Sequence, residues 1–265
     1  MGTARKGTGR RVIALIAGSI VGVLLLAGSG ILISGGLFVP ARYLDAWDRG
    51  YHESFDDPRL QLLAHGILAP SGHNMQPWIV RLDPADADVF DVFVDPARLT
   101  PAVDPLARQT LVSTGTFLEY LRVAGSRLGW DVGIELFPDG GYAEDDLTAS
   151  MSDLPAARVT LEPAAPTTGG DYDALFLSDT NRDPYAAAAL TDAQRAALLG
   201  LPAENGATLE LREGAADRDV LGAFALRGTT IEAAYPAAAE ETASLRHSVA
   251  SRWNAGSCSM PWWKS

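Results

Sequence analysis

The chain has almost no cysteine. Cys258 stands alone in 265 residues, so no internal disulfide can form, and the redox compartment stays open. Histidine is nearly as scarce. His52, His65, His73 and His247 show no spacing that pairs them with cysteine or carboxylates as a metal site, and no metal is expected. Basic charge is also short. The formal net charge is −12, and four of the cations, Arg5, Lys6, Arg10 and Arg11, precede the first apolar run; without them, 17 basic residues face 33 acidic ones. Nucleic-acid binding rests on neutralising phosphates with Lys and Arg, and a surface this acidic argues against it. Between Val12 and Val39 charge of either sign is missing for 28 residues.

A membrane-spanning helix needs about 20 apolar residues, so this run is long enough to cross a bilayer with some tilt. Its cations lie on one flank only, which predicts a single-pass anchor with the N-terminus in the cytoplasm and the main domain on the extracytoplasmic side. No small-x-small cleavage site follows in Phe38-Val39-Pro40-Ala41-Arg42-Tyr43, so an uncleaved signal-anchor is expected. Arg10-Arg11 leaves twin-arginine export open. The expected organisation is a basic N-terminus at 1–11, an anchor at 12–39, an aromatic linker at 40–56, a main domain at 57–253 and an irregular tail at 254–265.

Within the domain, helices and short strands alternate. Asp57-Pro58 has the form of an N-cap with proline in the first turn, and Leu60, Leu63, Ile67 and Leu68 make an apolar stripe behind it. Strands are expected from Trp78, over Phe90–Asp95, Trp130–Phe137, Ala156–Leu161 and Ala207–Leu211. Asp104-Pro105 opens a long helix that Gly129 closes, with Leu111, Phe117, Leu118, Leu121, Ala124 and Leu128 on one face. Thr191 begins another helix, and residues 214–250 read as helix broken at Pro236. This pattern predicts an α/β or α+β layered domain.

One stretch reads as chemistry: Ala69-Pro70-Ser71-Gly72-His73-Asn74-Met75-Gln76-Pro77-Trp78. Pro70 and Pro77 fix φ at two points and exclude helix between them. Asn74 and Gln76 place two neutral amides, each both donor and acceptor, on the loop they bound. Rigid amides of this kind can read the edge of a flat heterocycle bearing carbonyls and ring nitrogens. A Pro-bounded turn before a strand is the plain alternative.

The stretch resembles the Pro-Ser-x-x-Asn-x-Gln-Pro-Trp signature of the nitroreductase superfamily, and Ser-Gly-His-Asn is most similar to its Acg-type branch, whose single chain carries two nitroreductase-like halves. The resemblance continues through Asp95-Pro96-Ala97-Arg98, Asp104-Pro105-Leu106-Ala107-Arg108, the helix Ser113–Leu121, and Thr180-Asn181-Arg182-Asp183-Pro184-Tyr185. It implies the α+β nitroreductase fold with bound FMN. Ser71, His73, Asn74, Gln76 and Trp78 match the loop that lies against the flavin ring, and Arg98 and Arg108 fall at the family's basic positions. Thr180 and Arg182 match two members of an Arg-x-Ser/Thr-x-Arg phosphate grip whose first Arg is here Ser178, beside the acidic Asp179. The resemblance implies that the second half of the family fold is incomplete in this chain, so weak FMN binding, exposed apolar surface on the Leu111–Leu128 helix and a homodimer are expected.

Two functions stay open. One is a membrane-anchored FMN-dependent oxidoreductase passing electrons from NAD(P)H or a quinol to a small nitro, quinone or similar acceptor. The other is a flavin-binding or flavin-sequestering protein with little turnover, or an inactive remnant.

Overall fold

The computed structural model describes residues 42–169, 171–177, 188–201, 208–254 and 263–264, with Ser19, Gly22 and Leu26 as isolated positions. The chain divides into two compact units, Met1–Leu44 and Asp45–Ser265. The Val12–Val39 run, apart from those three positions, lies outside the described residues. Among the described residues no helix is long and apolar enough to cross a membrane.

The second unit is α+β, a five-stranded sheet covered by helices. Helix α1 (Pro58–Gly66) starts as the sequence predicts, with Asp57 as N-cap accepting from the Arg59 amide and proline in the first turn. Strands β1 (Trp78–Leu82) and β2 (Val89–Val94) pair antiparallel, with Trp78 opposite Val94 and Leu82 opposite Phe90. The long helix α2 (Arg108–Leu128) follows, then β3 (Trp130–Leu136), the short helix α3 (Leu147–Asp153) and β4 (Ala157–Pro163). Beyond these lie α4 (Asp171–Ala174), α5 (Asp192–Leu199), α6 (Ala215–Ala233), α7 (Pro236–Asn254) and the two-residue β5 (Trp263–Lys264). The strand order is β3-β4-β2-β1-β5, antiparallel throughout except where β5 runs parallel to β1.

The core forms where α1 and α2 cover this sheet. Trp78, Val80, Phe90, Val92, Val159 and Leu161 rise from the strands to meet Leu62, Leu63, Phe117, Leu121 and Ala124, all buried. The Trp78 and Phe117 rings stack with centroids 4.7 Å apart. The two helices approach closely enough to require glycine: a Cβ on Gly66 would lie 2.7 Å from Phe117 and 2.8 Å from Leu121. Helix α2 ends at Gly129, whose left-handed φ of 89° terminates the helix at little steric cost. Arg59, 8% exposed, ties α1 to the hairpin. Its guanidinium pairs with Asp57 and donates to the carbonyls of Asp83, Asp86 and Val89.

Three expectations are corrected here. Residues 208–211 form no strand; no sheet edge among the described residues takes them, and an unpaired strand has no ladder to hold it. The long helix starts at Arg108 rather than at Asp104-Pro105, because Ala107 is left-handed (φ 52°) and interrupts the turn. The apolar face of that helix is not left open. Phe117, Leu118, Leu121 and Ala124 are buried, and Val112 is its large exposed apolar residue.

A second, smaller cluster joins Val94, Ala107, Met151 and Ala156, with Tyr142 packed on it. Burial pushes the Tyr142 phenol up to about 12, and its buried hydroxyl finds no hydrogen-bond partner among the described residues. Removing that oxygen ends an uncompensated desolvation. Tyr142→Phe is therefore expected to raise stability by about 1 kcal/mol. A urea midpoint that falls instead would show that the hydroxyl is satisfied.

Candidate functional site

The Ser71–Gln76 loop sits beside the first turns of α2. Its backbone is unusual: His73, Asn74 and Gln76 are all left-handed, with φ of 50°, 53° and 49°. Non-glycine residues rarely adopt this conformation, and each carries a cost on the order of 1 kcal/mol or more unless its surroundings hold it.

The surroundings here do hold it. The Gln76 amide donates to Ser71 Oγ at 2.9 Å, closing the loop on itself. The Gly72 amide donates to Ser113 Oγ at 3.0 Å, and Thr116 Oγ1 donates to the Pro70 carbonyl at 2.7 Å, so α2 fixes the loop's entry. Arg98 donates to the Met75 carbonyl at 2.5 Å while pairing with Asp95. Gln76 Nε2 donates to the Ile67 carbonyl at 3.0 Å, tying the loop's exit to the segment after α1. Beyond Gln76, Pro77 and Trp78 are buried and lead directly into β1.

This wiring sorts the residues named from the sequence. His73 and Asn74 project into solvent. Gln76 is half committed, with its NH2 on Ile67 and its Oε1 remaining as acceptor. The Ser71 hydroxyl is occupied by the loop's own backbone. The Trp78 indole is 2% exposed and belongs to the core; it anchors the loop rather than lining its open side. Arg98 braces Met75. Arg108, the first residue of α2, is exposed and makes no ion pair among the described residues. Thr180 and Arg182, with Ser178 and Asp179, lie outside the described residues.

Between loop and helix lies a small cavity lined by Gly72, His73, Met75, Gln109, Thr110 and Ser113, among others, of about 10 Å³. That is room for about one water molecule. Asp104, buried on its floor, is not free to act on a ligand, since Oδ2 accepts from both the amide and the hydroxyl of Thr110 (2.9 and 3.1 Å). The sequence placed Asp104 at the start of the helix; in the fold Ala107 is the N-cap, and Asp104 reaches forward to the Thr110 amide in the first turn.

The polar groups of this stretch, an Asn74 amide that can donate and accept, a Gln76 Oε1 that accepts and the exposed Arg108 guanidinium, have the chemistry to pair with the edge and phosphate of a flavin. The enclosed space does not accept a three-ring system. Among the described residues no group of three His, Cys, Asp or Glu side chains could hold a metal ion.

A second cluster escaped the sequence because its members are far apart along the chain. His65, buried at 2% exposure, carries a proton on Nδ1, which donates to the Gln61 carbonyl at 2.8 Å. Its Nε2 then accepts from the Tyr172 hydroxyl at 2.9 Å. The His52 ring lies 4.8 Å from that of His65.

Over a limited segment the chain is similar to proteins named as NAD(P)H nitroreductases. It is 33% identical over 121 residues, 44% of this chain, to "Putative NAD(P)H nitroreductase acg" of Mycobacterium tuberculosis, and covers 33% of that protein. It is 34% identical over 83 residues, 30% of this chain, to "Probable NAD(P)H nitroreductase PigM" of a Serratia strain, covering 23% of it. An uncharacterized Mycobacterium tuberculosis protein matches at 33% over 87 residues, 32% of this chain and 25% of the relative. The chain thus spans between 23% and 33% of the length of these relatives. No family model matches the chain.

Proposed function

We propose that this chain is a flavin-dependent oxidoreductase of nitroreductase type, similar to the Acg branch, using FMN and an NAD(P)H or quinol donor to reduce small acceptors such as nitro compounds or quinones. The observation that carries this reading is the loop in which three left-handed residues are locked by five side-chain contacts while Asn74 is held out to solvent. Proteins retain such strained backbone where it positions a ligand. FMN, when bound, would supply the electron-transfer chemistry. Asn74 and Gln76 Oε1 would hydrogen-bond the ring edge, and Arg108, with Thr180 and Arg182, would carry the phosphate. A second reading is a flavin-binding protein with little turnover, in which the same loop holds the cofactor without passing its electrons on.

The two amides should behave differently. Asn74→Ala is expected to leave the fold unchanged and to weaken FMN binding by about 1–3 kcal/mol, roughly five- to more than a hundredfold. Gln76→Ala should weaken binding and also lower stability, because the Ile67 carbonyl loses its donor. Titration of FMN by fluorescence quenching, with urea unfolding alongside, separates the two. Unchanged affinity in both variants would leave the loop a structural element. A purified protein that reduces a nitro or quinone acceptor supports the enzyme; flavin binding without turnover supports sequestration.

We further propose that Val12–Val39 anchors the chain with the main domain on the extracytoplasmic side, on the strength of its uncharged length and one-sided cations. Protease added to spheroplasts should digest the domain, and protection until lysis would reverse the topology.

A further inference from the structure

One wall of the loop cavity is held from the far end of the chain. Thr100 and Asp104 both line that cavity, and both are buried. The turn they bound closes on itself, with the Val103 and Asp104 amides donating to the Thr100 carbonyl at 3.1 and 2.6 Å. Its middle is gripped from outside. The Ala102 and Val103 amides donate to Oε1 and Oε2 of Glu241 on α7, at 3.3 and 2.9 Å, across 139 and 138 residues of sequence. Glu241 is half-buried, and among the described residues its carboxylate has no ion pair, so these two amides are its partners. A carboxylate drawn partly out of water needs such donors, and hydrogen bonds to an ionised acceptor are stronger than neutral ones.

The flanks of the turn are fastened separately. Before it, Arg98 pairs with Asp95 and holds the Met75 carbonyl. After it, Asp104 holds the amide and hydroxyl of Thr110 on α2. Between them Pro101 has no N–H to give, and the grip of Glu241 is what ties the Ala102–Val103 backbone to another element. The cavity has its present volume, about 10 Å³, with this grip in place. We infer that Glu241 is a positioning residue for the loop site: by holding the Ala102 and Val103 amides it fixes the Thr100–Asp104 wall and keeps the cavity at the width of one water molecule. When the carboxylate lets go, the wall opens locally while the sheet and α2 stay folded, a low-energy excursion of the kind that loops beside binding sites make. A flat ring entering between the loop and α2 needs this opening. That last step rests on the flavin reading above; the hold on the wall does not.

The test uses the full chain with Cys258→Ser, in its membrane or detergent environment and without flavin. Thr100→Cys puts a thiol in the wall, where its rate of reaction with a maleimide reads how often the wall opens, since a buried thiol is inert. Val159→Cys, in the core of the sheet, reads opening of the whole fold. Adding Glu241→Ala should raise the rate at position 100 roughly tenfold or more and leave that at position 159 within about twofold. Glu241→Gln keeps one oxygen to accept from one amide, so its rate at position 100 should fall between those of the parent and Glu241→Ala. An unchanged rate at position 100, or an equal rise at both positions, would overturn the inference, the second by showing that Glu241 only adds to global stability. FMN titration of the same variants is read separately. Tighter FMN binding in Glu241→Ala supports both the hold on the wall and the flavin site. Faster labelling at position 100 with no FMN binding in any variant supports the role of Glu241 and sinks the flavin reading instead.

Discussion

Trp78→Ala should lower the free energy of unfolding by about 3–5 kcal/mol, the range for truncating a large aromatic in a core that cannot collapse around the void. Few changes in this chain should cost more. Trp78 is 2% exposed and stacks on Phe117, and Phe117 in turn touches Gly66 where the two core helices cross. Domains are stable by only about 5–15 kcal/mol, so the variant should sit near the edge of folding. Because Trp78 directly follows Pro77, the loss should reach the Ser71–Gln76 loop, and any flavin affinity should fall further than in Asn74→Ala. Trp78→Phe preserves an aromatic stack and should recover much of the stability. A Trp78→Ala protein within 1 kcal/mol of the parent in urea would show that the core tolerates the void.

The second large effect concerns pH. Burial pushes His65 from its ordinary 6.5 down to about 4, the neighbouring His52 acts in the same direction, and the hydrogen bond to the Gln61 carbonyl offsets part of the shift. A histidine held neutral in the fold stabilises above its unfolded value. Stability should thus be full above pH 6.5 and fall as pH drops from 6.5 towards 4, where the unfolded chain takes up a proton that the folded chain refuses. The loss from this one group is roughly 3 kcal/mol at the lower limit. His65→Gln keeps a polar side chain without the titration and should flatten the stability curve between pH 4 and 6.5. An unchanged curve in that variant would place the acid sensitivity elsewhere.

How much of this was legible in the sequence varies by element. Asp57-Pro58 and Gly129 mark the ends of their helices correctly because capping is local: one side chain or one backbone conformation decides it. The stripe Phe117, Leu118, Leu121 and Ala124 is legible for the same reason, since helical periodicity places it without reference to any partner. The short helix Leu147–Asp153 was not foreseen. Nor was the absence of strand at 208–211, because alternation alone does not supply a neighbouring strand. At the site, the two prolines bound the loop as expected, but they did not exclude helix between them, since a single 3-10 turn forms at Gly72–Asn74. The jobs of its residues were less visible. Arg98 and Trp78 carry the right chemistry for a ligand, yet one braces a carbonyl and the other fills the core, and only tertiary distance separates these roles. The His65–Tyr172 contact, 107 residues apart in sequence, left no local trace at all.

The left-handed backbone at His73, Asn74 and Gln76 has a further consequence, for how this chain can drift over generations. Glycine adopts that conformation without steric cost, so glycine at His73 or Asn74 would relax the loop, whereas at Gln76 it would also remove the donor to the Ile67 carbonyl. Proteins selected only to persist would be drawn towards glycine at the first two. The His73 and Asn74 side chains stand there against that pull, exposed to solvent. Selection for durability and selection for what the loop does oppose each other at these two positions, and a variant of this chain freed from its task should lose them first.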